Sequence, residues 1–392
     1  MKILVLLSRV PYPIEKGDKL RAFHQIRCLS KNNEIILCAL SDAKVKPEDV
    51  KVLKEFCTEV HIISINKAGM IWNVLKAFFN GKPLQVGYFY RCRAQKKINS
   101  IIAKSSPDHI YCQLTRVSDY VKDSKIPKTL DYQDVFSMGA KRRAETSSPL
   151  MKMFFIMEYK RLLRYEHEIF NKFDHKTIIS LPDRDLLPHP SREEVVIIPN
   201  GVDHEFFSPV KRPKTHDILF TGNMGYPPNI DAARFIAEKI FPLVLKTFPE
   251  AKLLIAGANP HPKILALQSS NITVTGWIPD IRESYASSRI FIAPMRIGTG
   301  LQNKLLEAMA MELPCITSVL ANQALGAKES DEILIGTTAG DYANHIIKLL
   351  KDQVFAQSLA QNGHAFVKKI FSWGNSTQLL LQLFDTLKTN EN

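Results

Sequence analysis

IGTGLQNKLLEAMAMELP, residues Ile297–Pro314, decides the fold of this chain. A loop of small residues (Gly298, Thr299, Gly300) continues through Leu301 and Gln302 into an amphipathic helix, on which Lys304 and Glu307 stand one turn apart. The run before it, Ile290–Pro294, has almost no polar side chain and reads as a buried strand. Strand, glycine loop and helix start make an anion site, because the first amides of a helix lack intrahelical partners and the dipole is positive there. Lys304 adds a donor for a phosphate, and Glu307 adds an acceptor pair suited to vicinal hydroxyls. An oxyanion and a diol within one helical turn point to a nucleotide, so this stretch suggests a nucleotide sugar.

Working outward, strands and helices alternate from the start. Ile3–Leu7, Glu34–Leu40, Val60–Ile65, Asp108–Cys112, Lys128–Asp131, His175–Ser180 and Val195–Ile198 read as strands. Helical patterns fill Lys19–Ser30, Pro47–Phe56, Met70–Lys104 and Met138–Asn171 between them. The pattern then restarts with strands at His216–Thr221, Ala251–Ala256, Asn271–Thr275, Ile290–Ala293, Cys315–Ser318 and Glu332–Ile335, and a helix at Asn229–Phe248. Continuous apolar strands alternating with amphipathic helices indicate parallel sheets covered on both faces. The expected class is α/β: two Rossmann-like, doubly wound domains facing a central cleft. The Pro-, Gly- and charge-rich stretch Pro199–Asp217 reads as the seam. The expected domains are 1–203, 204–371 and a terminal helix, 372–392, packing back toward the first domain.

A chain of 392 residues exceeds one ordinary core, which agrees with two domains of about 150–200 residues each. The six cysteines lie mostly in apolar segments with no CxxC pair, so neither structural zinc nor a redox dithiol is expected. MKILVLLS is too short for a signal-peptide core or a membrane span, and the expected location is the cytoplasm. The net charge of +13 is unevenly spread: between Glu59 and Asp108 there is no carboxylate, yet eight lysines and arginines fall there. Met70–Phe79 in that segment and Pro149–Glu166 later mix large apolar residues with cations. Residues 60–107 and 149–166 are therefore expected to contact an anionic membrane peripherally, on its inner face. The plainer alternative is that these helices cover a core and display solvated lysines. With no helix-turn-helix, RNP-type or finger signature, no nucleic-acid partner is expected.

With PNGVD (Pro199–Asp203) and LLEAMAMELP (Leu305–Pro314) both in view, the chain resembles the retaining GT-B glycosyltransferases of family 4 over nearly its whole length. It is most similar to bacterial sugar transferases of exopolysaccharide systems. The matching strings are PYPIEKGDKLR (Pro11–Arg21), LDYQDVFS (Leu130–Ser137), FTGNMGYPPNIDA (Phe220–Ala232), VTGWIPDIRE (Val274–Glu283) and APMRIGTGLQNKLLEAMAM (Ala293–Met311). The resemblance implies that Glu307 holds the ribose, while Lys304 and the amides of Gly300 and Leu301 hold the diphosphate, with neighbouring Gln302 among the donor-binding residues. It implies a grip on the base at Trp277 and Ile278. Gly17 would bring backbone toward the diphosphate, with Lys19 and Arg21 beside it.

The chain also departs from the family pattern. Thr299 stands where the first of two glutamates is usual. The usual Arg and Lys pair after the first strand of the second domain is replaced by Asn223, Met224 and Pro227, leaving Lys304 and Arg296 to supply charge around Asn223. Two histidine positions of the first domain are occupied by Gln113 and Asp131. His109 is expected to point away from the face of Gln113 and to be structural. Asp131, at a strand end facing the cleft, and Asp134 are the expected catalytic carboxylates, with Gln113 beside them.

The implied reaction is sugar transfer from a nucleotide-diphosphate sugar to a saccharide or lipid-linked acceptor with retention of configuration. The donor is a co-substrate and no cofactor is expected. No Asp-x-Asp occurs near the donor loop, since Asp183 and Asp185 lie in a proline-rich loop outside it, and no metal is expected. A nicotinamide-dependent oxidoreductase would need a GxGxxG after the first strand, where only Gly17 is found. A non-catalytic GT-B subunit or a nucleotide-sugar epimerase are the remaining alternatives.

Overall fold

The computed structural model describes all residues except 15, 66, 146, 299 and 387–392, and only the backbone of 67, 68 and 70. The described residues form two sheets, each with every pairing parallel. The first contains β1 (Lys2–Leu7), β2 (Glu34–Ser41), β3 (Glu59–Ser64), β4 (His109–Gln113), β5 (Lys128–Asp131), β6 (His175–Ile178) and β7 (Val196–Ile197). Their order is β3-β2-β1-β4-β5-β6-β7. The second contains β8 (His216–Thr221), β9 (Leu253–Ala256), β10 (Ile272–Val274), β11 (Ser288–Ala293), β12 (Cys315–Ser318) and β13 (Leu334–Gly336). Their order, β10-β9-β8-β11-β12-β13, repeats the first arrangement. In each, the strand order reverses beside the first strand, and such a switch point leaves a crevice at the carboxyl ends.

Contacts divide the chain into one unit of Met1–Pro199 with the chain from Ser376, and another of Asn200–Asn375. In the first unit the pleat sorts β1 cleanly. Leu4 and Leu6 join one core with Ile36, Cys38 and Ile110, and Ile3, Val5 and Leu7 join another with Ile35, Leu37 and Tyr111. The second core takes in Leu380 and Phe384 from the terminal helix Trp373–Asp385. Phe384 stacks on His109 at 4.1 Å between ring centroids.

Two long helical patterns are interrupted, each at a proline. Met138–Asn171 becomes helices Phe136–Glu145 and Pro149–Phe170, with Pro149 at the first position of the second, where its missing N–H costs nothing. Asn229–Phe248 becomes helix Pro227–Phe235, a π-helical turn Ile236–Ile240 and helix Phe241–Leu245. Pro242 can offer no N–H to the preceding turn and its ring crowds it, so the helix widens there.

The expected faces of β4 need correction. His109, Tyr111 and Gln113 share parity and lie on one face, so His109 does not point away from Gln113. Burial, and then His175, push the His109 imidazole down to about 3, leaving it neutral. It donates or accepts one bond with Thr129 Oγ1 at 2.9 Å.

Asp131 and Arg21 also differ from expectation. Arg21 is fully buried, with Nε 2.7 Å from Asp131 Oδ2 and Nη2 3.2 Å from Oδ1. Thr177 Oγ1 donates to Oδ1 at 2.9 Å, and Tyr111 Oη lies 3.0 Å from Oδ2. Gln113, also buried, donates to Gln25 Oε1 at 2.7 Å and to Tyr111 Oη at 3.3 Å. Arg21 is therefore no donor-binding cation and Asp131 no open catalytic carboxylate. The pair ties helix Gly17–Leu29 to β5 and β6 beneath the carboxyl end of the sheet. Burial opposes the charge on Arg21, but Asp131 and Tyr111 outweigh it and hold its pKa above the usual value. Asp131→Ala leaves that cation buried without its partner and should destabilise the first unit by about 3–5 kcal/mol in denaturant titration. Donor affinity should be unchanged; a stable variant that had lost only turnover would restore Asp131 to catalysis.

Candidate functional site

The carboxyl end of β8 runs into Thr221, Gly222 and Asn223, and this turn is built by close backbone approach. Gly222 has φ +152° and Gly257, after β9, has φ +143°. A Cβ on Gly257 would come within 1.8 Å of Gly222 O, and one on Gly222 within 3.1 Å of Lys304 Nζ. Only glycine leaves the space. Beside this turn begins helix Asn303–Ala310, which has no side chain capping its N-terminus. Its first amides are open to an anion.

Lys304 and Glu307 lie on the first turns of that helix, both partly accessible. The ammonium of Lys304 sits 4.6 Å above the Phe220 ring and donates to Asn229 Oδ1. Asn229 in turn donates to Asn223 O at 2.9 Å, so its oxygen is turned toward the lysine. Burial pushes the Lys304 pKa down to about 7, against a small opposing pull from Glu307. Glu307 Oε2 accepts from Tyr285 Oη at 2.8 Å, and Tyr285 Oη lies 2.8 Å from Thr221 Oγ1. Burial raises the Glu307 carboxyl above the usual carboxylate range, while Tyr285 and Lys304 restrain it. The result is a half-desolvated cation next to a helix start that has no side-chain cap, and a carboxylate braced through one oxygen. Such a pair suits a diphosphate and a ribose diol.

The PNGVD string acts on this helix from below. Asn200 Nδ2 donates to Asn303 Oδ1 at 3.1 Å, holding the helix start. Gly201 passes so close to Trp373 that a Cβ would lie 2.3 Å from its backbone nitrogen. Val202 N donates to Phe371 O at 3.0 Å in the same crossing.

The other expected donor residues are placed as follows. Gly300 O accepts from Gln302 Nε2 at 2.9 Å, and Leu301 packs on the core of its unit. Thr299 lies outside the described residues. Arg296 is bound through two bonds, 2.9 and 2.6 Å, to Asp231, so its charge is already answered. Asn223 is exposed and caps Gly225 N. Trp277 is 72% exposed, not core, and Ile278 next to it is half-buried.

In the first unit, Gly17 opens helix Gly17–Leu29, and a Cβ there would meet nothing within 4 Å. Lys19 lines a small hollow with Ser8, Arg9, Asp18, Gln113 and Leu114, at the switch point of that sheet. Of the expected catalytic trio only Asp134 is exposed, with Oδ1 4.0 Å from Arg142 Nη2. Asn229, Tyr285 and Thr221 brace the Lys304–Glu307 pair and are not singled out by the sequence. Asn229 lies within FTGNMGYPPNIDA, and its place at the head of a helix after a glycine turn was its signal. Tyr285 carried none, because its role depends on a contact 22 residues away in the chain.

Residues 215–352 match the family model described as glycosyl transferases group 1. The chain is 22% identical over 406 residues to an uncharacterized 44.6 kDa protein in the cps region of Klebsiella pneumoniae, covering 95% of this chain and 98% of that one. Over 208 residues it is 25% identical to a UDP-Gal:alpha-D-GlcNAc-diphosphoundecaprenol alpha-1,3-galactosyltransferase of Escherichia coli, covering 45% of this chain and 52% of that one. The Anabaena protein HepE, solved in complex with UDP and glucose, superposes with a TM-score of 0.69 at 12% identity, covering 98% of this chain and all of that one. The fold is GT-B.

The low Lys304 pKa sets a pH signature. Free, Lys304 loses its proton as pH rises through about 7; beside a diphosphate it is held protonated. Binding of a nucleoside diphosphate at pH 8 should therefore take up close to one proton, read as a buffer-dependent heat in calorimetry. Affinity should fall by up to about tenfold per pH unit above 7. Lys304→Met should remove both effects, and a wild type with no proton uptake would refute the desolvated lysine.

Proposed function

We propose that the chain, a GT-B glycosyltransferase, moves a hexose from a UDP-sugar to a saccharide or lipid-linked saccharide acceptor in cell-surface polysaccharide synthesis. The observation that carries this reading is the pairing on one helix of Lys304, presented by Asn229 and Phe220, with Glu307, braced by Tyr285. The named relatives support the choice of donor: one is a UDP-Gal-dependent galactosyltransferase, and the other was solved with UDP and glucose. The cps-region relative supports the polysaccharide setting.

In this reading Glu307 takes the ribose hydroxyls, while Lys304 and the opening amides of helix Asn303–Ala310 take the diphosphate. Those contacts strengthen as the bond between the anomeric carbon and the phosphate oxygen breaks and negative charge moves onto the diphosphate. The acceptor hydroxyl bonds to the same carbon on the face the diphosphate leaves, and its proton passes to a phosphate oxygen. Configuration is retained, and no side chain need act as a strong base. The protein contributes position and charge. One lysine and a helix start together contribute about 2–5 kcal/mol toward the diphosphate. Arg296 adds little, because Asp231 already neutralises it. We propose that this suffices without a metal ion.

A thermal-shift screen should show stabilisation by UDP-hexoses and by UDP, lost in Glu307→Ala and Lys304→Met. NMR of the product should show the donor's anomeric configuration. Turnover should persist in excess EDTA. Stabilisation by no nucleotide sugar would sink the reading, and loss of turnover in EDTA with rescue by magnesium would sink metal independence.

A further inference from the structure

Helix Lys67–Phe79 is packed the wrong way round for a helix that covers a core. Its contact side is small and polar. Ala77 is buried against Gly87, where a Cβ would come within 2.4 Å of the Ala77 Cβ. Asn73 Nδ2 donates to Tyr90 O. Its outward side is apolar: Ile71, Trp72, Leu75, Phe78 and Phe79 are all exposed, Trp72 by 71% and Phe79 by 82%. Ile71, Val74 and Leu75 border an apolar hollow with Tyr88.

A second element of the same unit repeats this. The first half of helix Pro149–Phe170 exposes Leu150, Met151, Met153, Phe154 and Ile156, and only its second half, through Leu162, Tyr165, Ile169 and Phe170, enters the core. The two helices are tied together. Arg161 Nη2 donates to Phe78 O at 2.8 Å with its guanidinium 5.0 Å from the Phe78 ring centroid. Glu158 is turned inward onto the amides of Leu84 and Gln85, at 2.9 and 3.4 Å. Cations are left interleaved with the exposed apolar side chains. Lys76, Lys152 and Lys160 are exposed, and among the described residues none has a carboxylate partner.

We propose that these two helices form one docking surface for an anionic phospholipid bilayer, with Trp72 and Phe79 entering the acyl boundary and the lysines meeting lipid phosphates. Charge decides the occupant. The stretch from 60 to 107 has no carboxylate and residues 149–157 have none, so a second copy of this chain would set cations against cations. A phosphate-bearing surface with an apolar interior complements both features at once. The inference stands on this surface alone and does not depend on the donor reading.

The full chain should sediment with vesicles of phosphatidylcholine mixed with phosphatidylglycerol, and far less with phosphatidylcholine alone. Salt should weaken the binding. Lys76→Gln and Lys152→Gln should each lower partitioning about fivefold. The double variant Trp72→Ser, Phe79→Ser should abolish it while leaving UDP binding and thermal stability intact. Three outcomes would overturn the proposal: no binding to the mixed vesicles, equal binding to both compositions, or loss of a solution dimer as the only effect of the double variant.

Discussion

An ammonium group held over an aromatic ring without an anion is costly, and the second unit is arranged around that cost. Lys304 has a carboxamide oxygen and the face of Phe220 for company, and burial lowers its pKa to about 7. Each neighbour is fixed by something else. Asn229 is held by Asn223 O, the β8 turn is narrowed by Gly222 against Gly257, and the helix start is tied by Asn200 to Asn303. A well-paired lysine would have little to gain from a ligand. One left short of a partner gains most from a phosphate, because an opposite charge in a desolvated site counts for more than in water.

Glu307 complements this by the opposite route. Its carboxylate is braced by Tyr285, which is itself locked by Thr221. The two charged groups therefore stand one turn apart without being spent on each other. Among the described residues no ion pair joins them within 4.0 Å. Arg296 makes the contrast: it pairs with Asp231 and rests 4.4 Å from the Phe235 ring centroid, as a structural cation does.

What the sequence revealed followed the range of the interactions involved. The strands were legible because parallel pairing buries both faces and leaves continuous apolar runs, as in β1 and β11. Lys304 and Glu307 were legible because helical spacing alone brings i and i+3 together. Arg21 and Asp131 were misread, because their bond spans 110 residues and nothing local distinguishes a buried arginine from a surface one. Tyr285 was missed for the same reason. The interruptions at Pro149 and Pro242 were written in the chain, and the periodic apolar pattern on either side hid them. Periodicity also showed that Met70–Phe79 was amphipathic without showing which side faced inward. Only the packing of Ala77 on Gly87 reverses the ordinary reading.

The two units thus use their sheets differently. In the first, the charges beneath the carboxyl end of the sheet are paired internally: Arg21 and Asp131 bond to each other, Tyr111 bonds to Asp131, and Gln113 donates to Gln25 Oε1, while Gln25 Nε2 is left without a partner among the described residues; the exposed apolar side chains are on the outer helices. In the second, the polar groups at the equivalent point are braced but not exhausted. Every residue of the Lys304–Glu307 constellation lies within Asn200–Asn375. The proposed nucleotide contacts for that reason rest on one unit's own packing. A buried network whose charges are paired makes a rigid floor, while a desolvated cation without a facing anion leaves a place for one.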